Sequence, residues 1–433
     1  MLADLLASPQ ARAAALRPVG LDFPAKAKHV IFLFMTGGPS HVDMFDPKPA
    51  LVKYAGQRPN DASLRTERKT GGLLPSTFTF QKYGQSGIEV SELLPNLAAT
   101  VDDLCVIRSM YSFSPNHEPG RNLFFTGIQT SMRPSMGAWV TYGLGTENQN
   151  LPGFVALTPG NSSMFASSGF LPAEYQGTVV NNSDPDPEKM IRYLRSKTLG
   201  DKEQRDQLDF VQSLNKSYSA SFGSDYFLDG RIKAMEAAYR MQFAASEVFD
   251  VRKESQAVRE EYGDTPYANG CLLARRLVES GVRYVQVHFG PGQPWDDHKE
   301  ITKNLRERCP EMDRASAALL RDLKRRGLLD ETLVVWGGEF GRTPVSESGD
   351  GRDHNPYGFT MWMAGGGAKP GIAYGATDEL GFKAVDKQVS IHDFHATMLH
   401  LMGLNHEKLT YRYAGRDFRL TDVYGQVVRD LIA

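Results

Sequence analysis

Thr332-Leu-Val-Val-Trp336-Gly-Gly-Glu339-Phe-Gly-Arg342 is an apolar run of strand length that stops at paired glycines and then presents a carboxylate and a guanidinium. A run this rich in β-branched and aromatic residues, without polar alternation, predicts a strand buried on both faces, as in a parallel sheet covered by helices. The glycine pair marks the turn that ends it. His29-Val-Ile-Phe-Leu-Phe-Met35, closed by Thr36-Gly-Gly-Pro-Ser40, repeats the arrangement and reads as the first central strand. Further strands are expected at 104–110, 283–289 and 359–364. Helices are expected at 228–251, at 268–280, at 310–326 with Pro310 at its start, and around 395–402. Alternation of the two element types predicts an α/β fold with a mostly parallel central sheet flanked by helices.

Length and composition fit that reading. With 433 residues, 41% hydrophobic and 23% charged, the chain can bury a substantial core. It divides into an N-terminal helical, leader-like segment over 1–27 and an α/β domain over 28–433, interrupted by a polar helical insertion or cap at about 160–265. A formal net charge of -2 gives no electrostatic reason to expect nucleic acid as a partner. No stretch reaches the length and apolarity of a membrane span. Cys105, Cys271 and Cys309 are too widely spaced to imply a disulfide framework or a cysteine metal site.

The chemistry concentrates in two short runs, Trp295-Asp-Asp-His298 and Arg352-Asp353-His354-Asn355, together with Glu339. All follow strand-like segments, and the carboxyl edge of a parallel sheet is where such folds bind ligands. Imidazole nitrogens and carboxylate oxygens form a donor set that suits zinc, manganese or iron. Asp296, His298, Glu339, Asp353 and His354 are therefore expected to hold a divalent metal, zinc or manganese. The Gly365-Gly-Gly367 run lacks the Lys-Ser/Thr of a phosphate loop and reads as a turn, Asp393 as a helix N-cap, and His395, His400 and His406 as surface or packing residues.

Four segments, Gly37-Gly-Pro-Ser-His-Val-Asp43-Met-Phe-Asp-Pro-Lys-Pro49, Trp295-Asp-Asp-His298, Gly338-Glu-Phe-Gly-Arg-Thr-Pro344 and Gly365-Gly-Gly-Ala-Lys-Pro-Gly371, resemble the domain of unknown function 1501 family. That family belongs to the alkaline phosphatase and sulfatase superfamily, and the likeness runs from about residue 28 to the carboxyl terminus. It implies an alkaline-phosphatase-like sheet and a first-metal group of Asp296, His298 and His354, with tighter Asp-x-His spacing than in phosphatases. The second-metal group is depleted. Glu339 stands where the superfamily has an Asp, Phe340 where it has a His, and Gly37 or Thr36 where an Asp ends the first strand. His41, Asp43 or Asp46 would compensate from the next turn, or simply organise that turn. One complete metal site and one incomplete site are expected.

The same resemblance places the nucleophile at Asn116-His117-Glu118, so that His117 attacks directly or serves as base for a metal-activated water. Arg342, and Arg121 as a second candidate, would hold an anionic substrate through the planar guanidinium. No Cys-x-Pro-x-Arg run is present, so formylglycine sulfatase chemistry is not implied. The expected function is a metal-dependent hydrolase acting on a small anionic phosphate or sulfate ester. The alternatives are a catalytically degenerate scaffold that binds a ligand or partner, and a phosphomutase or phosphonate-processing metalloenzyme. Family members commonly carry an export leader, which implies a periplasmic or exported protein. Residues 1–16 lack its basic start, leaving the cytoplasm as the alternative.

Overall fold

The apolar run at 29–34 becomes a strand whose six residues are all buried, and the remaining elements are arranged around it. In this computed structural model residues 20–58, 68, 70–130, 133–159, 164–191, 198–223, 226–347 and 349–433 are described. Most of the expected leader-like segment, residues 1–19, lies outside them, and 20–27 form no helix. The elements that build the sheet and its layers begin with β1 (His29–Phe34), α1 (His41–Met44), β2 (Leu104–Tyr111), α2 (His117–Thr126) and α3 (Met136–Leu144). They continue with β3 (Phe154–Leu157), β4 (Thr178–Val180), the long helices α4 (Asp201–Phe222) and α5 (Tyr226–Val248), α6 (Pro266–Glu279) and β5 (Tyr284–His288). The last part contains α7 (Ile301–Arg325), β6 (Thr332–Gly337), β7 (Gly341–Ser346), β8 (Arg352–Asn355), β9 (Phe359–Ala364), β10 (Ile372–Tyr374), β11 (Val389–Ser390) and α8 (Ile391–Leu401).

The central sheet has the order β10-β2-β9-β6-β1-β5-β3-β4, with β11 also paired to β2. β9 runs antiparallel to β2 and β6, and every other pairing in the sheet is parallel. The expected α/β class with a mostly parallel sheet is therefore what the chain forms. Its two-sided burial follows the strand period of two. Ile31, Leu33, Val334, Trp336 and Trp362 enter one core, where they join residues of α6 and α7. Val30, Phe32, Phe34, Leu333, Val335 and Met361 enter the other, with residues of α2, α3 and α8.

Most element boundaries shift by one to three residues from the sequence reading, and two helix starts differ further. α7 begins at Ile301, so Pro310 lies inside it rather than at its start. The buried stripe Leu305, Cys309 and Met312 continues through the proline, and this tertiary packing outweighs the lost backbone donor. In α8 the N-cap is Ser390, and Asp393 is its partner three residues on: Asp393 Oδ2 accepts from Ser390 N at 2.9 Å and Oγ at 2.7 Å. Both residues belong to one capping box. Among the described residues no helix is long and apolar enough to cross a membrane.

Candidate metal centre

Because β1, β2, β5 and β6 are mutually parallel, the loops after them open at one edge of the sheet. The loop after β5 carries Asp296 and His298, the turn after β6 carries Glu339, and the loop after β2 ends in His117, the first residue of α2. The antiparallel β7/β8 pair adds the last part, setting His354 opposite Arg342. Gly37, after β1, has φ 115° and lies so close to the 295–296 backbone that a Cβ would stand 2.7 Å from Asp296 N. Only glycine fits there, so no Asp side chain can end the first strand at this position.

Asp296 Oδ1 is the centre of the group. It lies 3.2 Å from His117 Nε2, 3.0 Å from His298 Nε2 and 3.0 Å from His354 Nε2. The Nε2 atoms of His298 and His354 are 3.1 Å apart. On each ring the other nitrogen is held by oxygen. His117 Nδ1 lies 2.7 Å from Glu339 Oε1, His354 Nδ1 2.6 Å from the Pro115 carbonyl, and His298 Nδ1 is bonded to Glu347 Oε2. A ring that donates from Nδ1 has its lone pair on Nε2, so the partners select the tautomer that can ligate a cation.

The donor set fits a divalent ion. Tetrahedral ligation with bonds of about 2.0–2.1 Å sets donors roughly 3.3 Å apart, close to the four spacings above, and two triads, His117 with Asp296 and His354, and His298 with Asp353 and His354, each bring their donor atoms within 4.8 Å of one another. His117 Nε2 is buried and faces Asp296 Oδ1 at 3.2 Å. Two imidazole lone pairs at 3.1 Å repel unless a proton or a cation lies between them. Among the described residues, the carboxylates of Asp296, Glu339, Glu347 and Asp353 around the cluster face two guanidinium groups, Arg342 and Arg68, which leaves negative charge for a cation to neutralise.

The carboxylates impose their field on the rings. Burial pulls His117 and His298 down, but hydrogen bonds to Asp296, with Glu339 for His117 and Glu347 for His298, raise both above the ordinary imidazole value. His354 is lowered by burial, helped by Arg342 and His117. For Asp296 burial is outweighed by the three imidazoles and Arg342, and the carboxyl is held far below the usual range.

Several candidates are placed elsewhere. Glu339 is fully buried and accepts the Gly37 N–H at 3.1 and 3.2 Å as well as facing His117 Nδ1, so it orients a donor ring. Asp353 does stand at the cluster: its Oδ1 accepts from the His354 N–H at 2.8 Å and lies 3.9 Å from His298 Nδ1, and with His298 and His354 it forms a group whose donor atoms lie within 4.8 Å of one another. His41 and Asp43 do not join the cluster. His41 Nε2 bonds the Gly381 carbonyl at 3.0 Å, and Asp43 forms a two-pronged buried ion pair with Arg352 at 2.8 and 3.1 Å. Asp46 is held by Lys48 and Thr377.

Arg342 is 0% exposed and donates to the Gly37, Gly38 and Arg352 carbonyls and, at 2.5 Å, to Asp296 Oδ1. It positions Asp296, and its donors are too fully engaged to hold a substrate. Asn116 is exposed just before α2 and makes no side-chain capping bond. Phe340 packs its ring at a tilt against His117 and His354, at 5.0 and 4.6 Å between centroids. Glu347 was missed by sequence reasoning. Its setting, Ser346-Glu347-Ser348-Gly349-Asp350, reads as an ordinary polar turn.

The fold and this cluster define an α/β protein with a histidine-rich group of side chains that could hold a cation at the carboxyl edge of its sheet. The chain belongs to the family described as Protein of unknown function (DUF1501), which matches residues 27–432. Among solved structures, the PsFucS1 sulfatase from Pseudoalteromonas sp. is similar at 13% identity, over 88% of this chain and 69% of that one, with a TM-score of 0.37. The lipoteichoic acid synthase LtaP from Listeria monocytogenes is similar at 10% identity, over 92% and 76%, with a TM-score of 0.38. A variant of TAB5 alkaline phosphatase with bound Mg is similar at 11% identity, over 88% and 99%, with a TM-score of 0.37. No curated protein matches the sequence.

Proposed function

We propose that this protein is a metal-dependent hydrolase of the alkaline phosphatase and sulfatase superfamily, acting on a small phosphate or sulfate ester. One observation carries the reading: three Nε2 atoms and one carboxylate oxygen converge while every Nδ1 is held by an oxygen acceptor. His117, His298, His354 and Asp296 would hold one divalent ion, and the nitrogen-rich set suits zinc better than manganese. Such an ion, when bound, supplies Lewis acidity at an ester oxygen and a more acidic water.

The chain's own residues do the positioning. Glu339, Glu347 and the Pro115 carbonyl fix the three rings, and Arg342 fixes Asp296. Phe340, fully buried, packs against the His117 and His354 rings and covers that side of the cluster with an apolar face. His117, with Nδ1 committed to Glu339 and Nε2 turned to Asp296, is assigned to the ion in place of the nucleophile role. A cysteine nucleophile has no support: all three thiols are buried, and burial pushes that of Cys105 up to about 12. The test is metal content and turnover of aryl phosphate and aryl sulfate esters by the wild type, His298→Ala and His354→Ala. The wild type should hold about one equivalent and turn over an ester, and both variants should lose both properties. Equal metal in all three proteins would remove the proposal.

A further inference from the structure

α4 is a helix of 22 residues that the rest of the chain leaves largely uncovered. None of its described residues is buried, and the half-covered ones, among them Leu208, Val211, Asn215 and Ser219, fall on the face turned to α5. Arg205 and Gln212 on that face bond Glu236 of α5. The opposite side carries Phe210, Leu214 and Tyr218, exposed by 62, 54 and 49%. Their spacing of four residues makes them one ridge along the helix. Helices draw most of their stability from a packed apolar face, and an exposed ridge of this kind marks an interaction surface.

The surface is complementary to itself. Beside the ridge run Ser213, Ser217 and Ser221, whose hydroxyls donate to the carbonyls of Phe210, Ser213 and Ser217 at 2.7, 3.0 and 3.0 Å, so this row is short and its polar groups are satisfied within the helix. A row of small residues next to a row of large ones offers the groove and the ridge by which two helices pack through their i±4 rows. On the other side of the ridge Leu214, Asn215 and Tyr218 line, with Leu228 of α5, an open cleft of about 440 Å³. A second α4 turned antiparallel, with its Phe210 at the level of this cleft, brings Ser213 opposite Ser213 at the two-fold axis. The same register sets Asp209 of each copy opposite Lys216 of the other. Both are exposed and, being seven residues apart, lie on one flank of the helix. A parallel pair would instead oppose Asp209 to Asp209 and Lys216 to Lys216. Covering one face of a helix about 33 Å long removes roughly 500–600 Å² per copy, which reaches the lower end of specific interfaces.

We propose that the outer face of α4 is the contact of a two-fold homodimer, in which α4 of a second copy of this chain lies antiparallel across it. The contact is isologous, so each Phe210 fills the other copy's cleft. Sedimentation equilibrium of the full chain should give a monomer–dimer Kd of about 1–10 µM. Phe210→Ser should raise it at least about tenfold. Lys216→Asp should raise it about three- to tenfold by making both cross-pairs repulsive, and Asp209→Lys combined with Lys216→Asp should restore most of the wild-type value. The native thiols are buried, so an introduced one reports on the register. Ser213→Cys should form a disulfide-linked dimer on oxidation, whereas Lys202→Cys, whose two copies stand about 33 Å apart in this register, should remain unlinked.

A wild type that stays monomeric at about 100 µM, or Phe210→Ser that dimerises as the wild type does, overturns the assignment. Lys202→Cys that links as readily as Ser213→Cys overturns it too, since only a parallel pair brings both positions together. A monomer that floats with phosphatidylglycerol vesicles would give the ridge to a lipid surface and overturn it equally. All four positions are exposed, so each variant should keep the urea midpoint of the wild type, and the cross-linking pair holds the test open if one of them does not.

Discussion

Glu339→Gln separates a residue that orients a ligand from one that is a ligand. Glu339 is fully buried and has two donors to satisfy, the Gly37 N–H at 3.1 and 3.2 Å and His117 Nδ1 at 2.7 Å. Glutamine keeps one acceptor oxygen and brings an NH2 group that must face one of those donors. If it faces His117, the ring has to accept at Nδ1, its proton moves to Nε2, and the lone pair offered to the cation disappears. Losing an outer partner of this kind costs about 10- to 100-fold in metal affinity, or roughly 1.4–2.7 kcal/mol. Zinc titrated in competition with a chromophoric chelator reads that range directly. Asp296→Asn, which alters a direct donor, should lose metal beyond the window of the assay. The reasoning is refuted if Glu339→Gln binds zinc as tightly as the wild type. It is refuted equally if the variant is as damaged as Asp296→Asn, since Glu339 would then be a ligand itself.

Two further predictions concern the framework. Asp43→Asn leaves the buried Arg352 guanidinium without its carboxylate and should cost about 3–5 kcal/mol in urea unfolding, with zinc affinity within twofold of the wild type; loss of metal from a folded Asp43→Asn protein would return Asp43 to the ligand set. Asp322 is buried, and although burial raises its carboxyl, hydrogen bonds and charge from Arg326 and Arg275 hold it below the usual value. A depressed folded value stabilises the protein above the unfolded pKa near 3.9, and that contribution is lost as pH falls through the folded value. The deficit of Asp322→Asn should therefore be about 1.5–3 kcal/mol near neutrality and shrink below about pH 4, and a gap in urea midpoints that stays constant from neutral to acid pH would contradict this.

How far the molecule can be read from its residues depends on the range of the interaction. The strands at 29–34, 332–337 and 359–364 announce themselves, because two-sided burial demands an uninterrupted apolar run and nothing distant is needed to recognise it. Asp296 and Glu339 could be grouped because each follows a strand that parallel topology brings to one edge, and His354 lies within the hairpin that comes after β6. His41 and Asp43 carry the same residue types in an equally suggestive place. What removes them is a guanidinium 309 residues further along the chain and the Gly381 carbonyl, which no local pattern encodes.

Pro310 shows the same limit in secondary structure. Proline at a helix start is the common case, yet the buried stripe on either side of it carries α7 through. The engagement of Arg342 was invisible for a similar reason: its acceptors are backbone carbonyls of Gly37, Gly38 and Arg352, and a carbonyl has no signature in sequence. Glu347 is the reverse case, a distant partner of His298 hidden in a polar turn.

X-ray absorption at the zinc edge, on protein loaded with zinc and then dialysed, measures the centre most directly. The account predicts one tightly held ion per chain, coordinated by three imidazoles and a carboxylate, with the imidazole signal falling by one ring in His117→Ala. An ion lost on dialysis, or a coordination shell unchanged by His117→Ala, would contradict it.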